Sequence, residues 1–146
     1  MTMTKLFNSP FEMQLHLVLL MSEMNKEASI DRLVSLEFIT VFGAEFGVSD
    51  QNLHGNSMFR FSEIASKREQ AHEAIRRMAR EGLISISVDD GYKYSLSDVG
   101  KKYAKSFEGS YAREYRDNAK KAIKKYTRKS DQSLVQLIQN KAMEGR

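Results

Sequence analysis

The chain has 146 residues, 41% of them hydrophobic and 29% charged, a balance that suits a globular protein with a real core. It contains no cysteine, which excludes disulfides and thiolate metal sites and makes a reducing cytoplasm the expected compartment. The net charge of +4 is unevenly spread, with −3 over residues 1–60, zero over 61–97 and +7 over 98–146, so attraction to a polyanion, if any, belongs to the C-terminal third.

The first helix is announced by Ser9-Pro10-Phe11-Glu12, where Ser9 suits the N-cap, Pro10 the first helical position and Glu12 the capping box. Phe11, Leu15 and Val18, with Leu19, Leu20 and Met21, give this helix an apolar face wide enough for cover on more than one side. Its longest apolar stretch, Leu15–Met21, falls short of the roughly 20 residues that span a bilayer, and no signal-peptide pattern precedes it, so neither membrane insertion nor secretion is expected. Ser29 caps a second helix whose Ile30, Leu33, Val34, Leu36, Phe38, Ile39, Val41 and Phe42 again exceed one narrow stripe, ending near Gly43 to Gly47. The excess makes Leu17, Leu20, Leu36, Phe38 and Ile39 candidates for a protein interface.

Residues 48–60 carry Asp50-Gln51-Asn52, Gly55 and Asn56 without a period and read as a loop. Ser62-Glu63-Ile64-Ala65 then reads as a short helix, Ser66-Lys67-Arg68-Glu69 as a second capping box, and a longer helix runs to Glu81 before Gly82 stops it. The expectation is a helix, a tight turn and a helix. Leu83 to Val88 alternates as a strand, Asp89-Asp90-Gly91 marks a hairpin turn, and Tyr92 to Leu96 alternates back. Ser97 caps a helix spaced by Val99, Tyr103 and Phe107. Ser110 opens another with Tyr111, Tyr115, Ala119, Ala122 and Tyr126, and Leu134, Val135, Leu137 and Ile138 form a last short one. The expected fold is mainly α with a small β-hairpin, a winged helix-turn-helix flanked by N-terminal and C-terminal helices. Its segments are a helical pair and loop over 1–60, the winged unit over 61–108 and basic helices over 109–146.

No motif for catalysis stands out: His16, His54 and His72 are scattered, and there is no phosphate loop, nucleophile elbow or metal-ligand spacing. The expectation is a protein that is not an enzyme and needs neither metal nor cofactor. His16 lies one turn after Glu12, a spacing that reads as structural, and Asp89 with Asp90 is explained by turn chemistry. On the helix from Lys67 to Glu81, placing Ala71, Ala74, Ile75 and Met78 inward leaves Glu69, Glu73, Arg76, Arg77 and Arg80 outward. Two carboxylates then occupy the part that a DNA-reading helix presents to bases and phosphates. Lys67, Arg68 and Lys93 remain candidate phosphate contacts. So do Lys120, Lys121, Lys124 and Lys125 in the stretch 101–129, which holds eleven basic and three acidic side chains interleaved with tyrosines. Such tyrosines equally suit a packing stripe beneath solvated lysines.

The run from Phe61-Ser62-Glu63-Ile64-Ala65 through Ile75, Met78, Glu81-Gly82-Leu83-Ile84 and the Asp89-Asp90-Gly91 turn to Tyr94-Ser95-Leu96-Ser97 and Gly100 resembles winged-helix domains of the MarR and PadR kind. A broader set of residues, Ser29-Ile30-Asp31-Arg32-Leu33-Val34, Gly47 to Gly55 and Ser62-Glu63-Ile64 with Arg68-Glu69, is similar to the small middle component of bacterial ABC three-component defence systems, the group that includes Lamassu. That resemblance implies a subunit between an SMC-like ATPase and an effector, often a nuclease, in anti-phage or anti-plasmid immunity; the expected role is a non-catalytic adaptor, with the basic C-terminal stretch a candidate for non-specific contact to the backbone of double-stranded DNA. The alternative is a stand-alone winged-helix regulator that binds operator DNA as a dimer.

Overall fold

A computed structural model describes residues 10–53 and 61–144. Helix α1 spans Pro10–Ser22, α2 Ile30–Val41, α3 Phe61–Arg80, α4 Asp98–Lys105, α5 Ser110–Tyr126 and α6 Asp131–Glu144. A hairpin of β1 (Ile84–Val88) and β2 (Tyr92–Leu96) lies between α3 and α4. The expected mainly helical chain with one small antiparallel hairpin is present; the Ser9 cap and residues 54–60 of the loop lie outside the described residues.

Local chemistry sets most boundaries. Ser29 is extended at the start of α2 and its hydroxyl accepts from the Arg32 N–H, while Ser97 does the same for Gly100 at the start of α4. Gly82, at φ 71°, ends α3 in a left-handed turn, and the Leu83 N–H reaches back to the Met78 carbonyl. Between the strands, Asp90 and Gly91 both take positive φ, which aspartate and glycine tolerate best.

One element departs from expectation. The turn between Ala65 and Ser66 does not exist, and Phe61–Arg80 is a single helix of 20 residues. Ser66 and Glu69 have the spacing of a capping box, but the stretch holds neither glycine nor proline. Interrupting it would orphan carbonyls that the helix otherwise pairs.

Helix α2 is the centre of the molecule. Every residue from Leu33 to Val41 is buried, because α1, α3, α5 and α6 pack around it. The C-terminal helices therefore share one core with the N-terminal pair, contributing Tyr115, Ala119, Ala122, Leu134 and Ile138. Arg32 locks this return. Its guanidinium donates to the carbonyls of Tyr126 (3.1 Å) and Lys129 (2.9 Å) and pairs with Asp131 (2.9 Å), whose carboxylate also accepts from Ser29. One side chain thus satisfies carbonyls at the end of α5 and ties them to the first residue of α6. Two apolar expectations fail: Phe11 and Val99 point outward, at 57% and 59% exposure.

Candidate functional site

Four ionisable side chains meet inside the core where α1, α2 and α3 come together. Glu12 and His16 are one turn apart on α1, and the ring Nε2 of His16 lies 2.8 Å from a Glu12 oxygen. The ring Nδ1 lies 3.0 Å from Oε1 of Glu37 on α2, and Lys67 of α3 donates to the same oxygen at 3.1 Å. The Tyr111 hydroxyl approaches His16 Nε2 at 2.7 Å, and the Tyr115 ring stacks on the imidazole at 4.5 Å. Two carboxylates, one ammonium and one imidazolium compose a neutral set, the condition under which charges tolerate burial. Glu37 Oε2 and the Tyr115 hydroxyl are buried without a hydrogen-bond partner among the described residues.

Burial alone disfavours the charged form of both His16 and Glu37, yet the partners win in each case. For His16, hydrogen bonds to Glu12 and Glu37 and their negative charge raise its pKa above the ordinary 6.5. For Glu37, the Lys67 charge, then the His16 hydrogen bond and charge, lower its pKa from 4.5 to about 2. Linkage fixes the sign for each group. The raised histidine contributes stability that is complete below 6.5 and is lost as pH rises through its folded-state pKa. The depressed carboxyl contributes stability present above 4.5 and lost as pH falls towards 2. Urea unfolding should therefore show greatest stability between about pH 4.5 and 6.5 from this pair, with losses on both sides. Glu37→Gln should flatten the acid limb; an unchanged acid limb in that variant would refute the assignment.

The cluster was not legible as a site, and several expected contacts are drawn into it or into the core. Lys67 is a buried partner of Glu37 and is not available to phosphate. Leu17, Leu20, Leu36, Phe38 and Ile39 are all at most 1% exposed, so they are core of this chain and present no interface. Their apolar excess is covered by α5 and α6, which sequence periodicity does not place. Arg68 is exposed and pairs with Asp31, and Lys93 is half-buried on the hairpin near Asp131. On α5, Lys120 lies 3.5 Å from Glu23, Lys125 donates to the Phe46 carbonyl, and Lys121 and Lys124 are exposed. Of the interleaved tyrosines, Tyr115 and Tyr126 are buried beneath the helix and offer no ring for stacking, and Tyr103 and Tyr111 are half-buried. The inward side of α3 falls as expected and Glu69, Glu73, Arg76 and Arg80 are exposed, whereas Arg77, also expected outward, is half-buried.

The surface that sequence reasoning missed is the hairpin. The register pairs Ile84 with Leu96, Ile86 with Tyr94 and Val88 with Tyr92, so six apolar side chains share one face and Ser85, Ser87, Lys93 and Ser95 share the other. At its root Ile84 and Leu96 are buried in the core. Towards the tip the same strip emerges, with Ile86 at 49%, Tyr92 at 64% and Val88 at 76% exposure. Alternation was visible in the sequence, but a reading that expects the apolar face of a hairpin to be covered gives no sign of an exposed tip. Beside the hairpin, an open groove of about 840 Å³ is floored by Met21, Leu96 and Phe107 and edged by Lys101, Lys105 and Arg113. Among the described residues no helix is long and apolar enough to cross a membrane.

Comparison with known proteins gives one family. A family model described as ABC-three component (ABC-3C) system Middle Component 2 matches residues 6–145. No curated protein and no solved structure matches the chain.

Proposed function

Since the chain belongs to the Middle Component 2 family of ABC-three component defence systems, we propose that it is a non-catalytic adaptor subunit, of the Lamassu-like kind, seated between an SMC-like ATPase and an effector. A middle component has other subunits as partners. The observation that carries the adaptor reading is the hairpin strip, whose apolar side chains continue from the core into solvent and end at Val88 and Tyr92. Isolated apolar residues on a surface are ordinary, whereas a contiguous strip on a protruding element is what a partner surface looks like. The titratable cluster supports the same reading. Its histidine and Glu37 are enclosed, and the groove beside the hairpin is lined by none of its members.

Contact with the backbone of double-stranded DNA falls, in this reading, to the outward face of α5, where Arg113, Lys121 and Lys124 are exposed. Such contacts release counterions and carry no sequence preference. In this reading the hairpin after α3 corresponds to the wing of a winged-helix domain. The unbroken α3, with Glu69 and Glu73 outward, is poorly suited to reading an operator.

Co-expression of the tagged chain with the other subunits of its own system tests the proposal. The expected result is one complex of fixed stoichiometry that includes the ATPase, and DNA binding by that complex that weakens steeply with salt and is equal for unrelated duplexes of one length. A chain that stays apart from the ATPase, forms a symmetric dimer and selects one palindromic duplex would establish the regulator instead.

A further inference from the structure

We propose that β1 is a receiving edge, to which a partner subunit adds an extended strand with apolar side chains at alternate positions and a lysine or arginine at the end that reaches the hairpin tip. The inference rests on the adaptor reading and supplies its mode of contact. Strand β2 is covered on both sides: it pairs with β1 on one, and on the other Tyr94 exchanges both backbone hydrogen bonds with Ala28, at 2.8 and 2.9 Å. Because Tyr94 turns its N–H and carbonyl towards Ala28, its pair with Ile86 is not hydrogen-bonded. The pattern then alternates along the ladder. Bonds from Asp89 to Gly91 and from Ser97 to Leu83 fix the same phase at its two ends. Ile84, Ile86 and Val88 consequently direct their backbone groups away from β2, and the side chains of Ile86 and Val88 are exposed.

An open edge invites pairing, and native proteins guard such edges with lysine, proline, a bulge or a covering element. Strand β1 reads Ile-Ser-Ile-Ser-Val, with no charge and no proline, and its regular register contains no bulge. Its isoleucines and valine favour strand pairing. An edge of this kind persists in a soluble subunit when the assembled complex covers it, and strand addition is an established mode of recognition.

Charge identifies the occupant. Asp89 and Asp90 stand exposed at the end of the edge and form no ion pair among the described residues. A second copy answers this poorly. Paired parallel, two β1 edges set the two acidic tips together, so carboxylates meet carboxylates; paired antiparallel about Ile86, they set each tip beside the uncharged Gly82 and Leu83 of the other copy, which leave the aspartates unanswered. A basic residue on the incoming strand resolves the charge and fixes its register.

The experiment measures residue-resolved amide exchange in the full chain, free and assembled with the other subunits of its system. Assembly should slow the outward amides of Ile86 and Val88 by about a hundredfold or more. Ile86→Pro removes an N–H that makes no bond to β2, so the hairpin should stay intact while affinity for the partner falls by about tenfold or more. Asp89→Ala with Asp90→Asn should weaken assembly at low salt, with the difference closing at high salt. If the complex forms and the Ile86 and Val88 amides exchange as fast as in the free chain, the edge is unused and this inference fails while the adaptor reading stands. If no complex forms, both fail. If the isolated chain dimerises with those amides protected, the occupant is a second copy and the partner assignment is wrong.

Discussion

Replacing Lys67 by methionine should lower the unfolding free energy by about 3–5 kcal/mol, the size expected when one partner of a buried pair is removed and the other is left charged. Methionine fills much of the volume of the lysine stem, so packing is a minor part of the loss. The main part is electrostatic. Glu37 is fully buried, and Lys67 is the leading source of the field that keeps it ionised. Without the ammonium, Glu37 keeps His16 alone as its ionic partner, and the Glu12, His16 and Glu37 set carries a net negative charge in the core. Adding Glu37→Gln to Lys67→Met should recover part of the loss, because the uncompensated charge is then gone. A double-mutant cycle by urea unfolding measures this coupling. A loss below about 1 kcal/mol for Lys67→Met, the range of surface ion pairs, would show that the pair is open to solvent.

Gly100→Ala should destabilise by about 1–3 kcal/mol, although alanine is the better helix former. The cause is one close approach. A Cβ built on Gly100 would lie 2.0 Å from the Leu83 carbonyl oxygen, a backbone atom that also accepts the Ser97 N–H. No side-chain rotation relieves that contact, so α4 must lift away from the entry to β1. The loss corresponds to a fall in melting temperature of roughly 2–4 °C per kcal/mol for a chain of this size. Gly82→Ala is the useful contrast: nothing lies within 4 Å of that Cβ, and its penalty comes from the positive φ alone. A Gly100→Ala variant as stable as the parent would mean that α4 is loosely seated.

Much of the fold was legible because local chemistry spelled it out. Ser29, Ser97, Gly82 and Asp89-Asp90-Gly91 fix helix starts, a helix stop and the hairpin by interactions within four or five residues of themselves. The failures came where distant segments decide. Ser66 to Glu69 carries a start signal, but a capping box is used only where the chain has left the helix, and nothing there makes it leave. Leu36, Phe38 and Ile39 looked like surplus because α5 and α6, which cover them, lie some 70 to 100 residues further along the chain. One signal for the charged cluster is present in the sequence. From Leu33 to Val41 helix α2 offers no broad polar face, so Glu37 in its middle requires a buried partner, and Glu12 with His16 on the other apolar helix has the spacing to supply one. The same wheel that sets Ala71 and Ala74 inward places Lys67, four and seven residues before them, on the inward face and Arg68 at its margin.

The packing of α5 and α6 around α2 also sets a timetable for biosynthesis. Ribosomes add about 5–20 residues per second, so α2 leaves the ribosome roughly 5–20 s before the residues of α6 that cover it. Through that interval Leu33, Leu36 and Phe38 lack the cover of both C-terminal helices, and the Arg32 guanidinium has none of its acceptors from residues 126–131. A nascent chain ending at Gly109 holds every cap that starts α2 and α4 and still has one side of its central helix bare. Such an intermediate exposes apolar surface of the kind that chaperones hold, and residues 110–144 are what cover it.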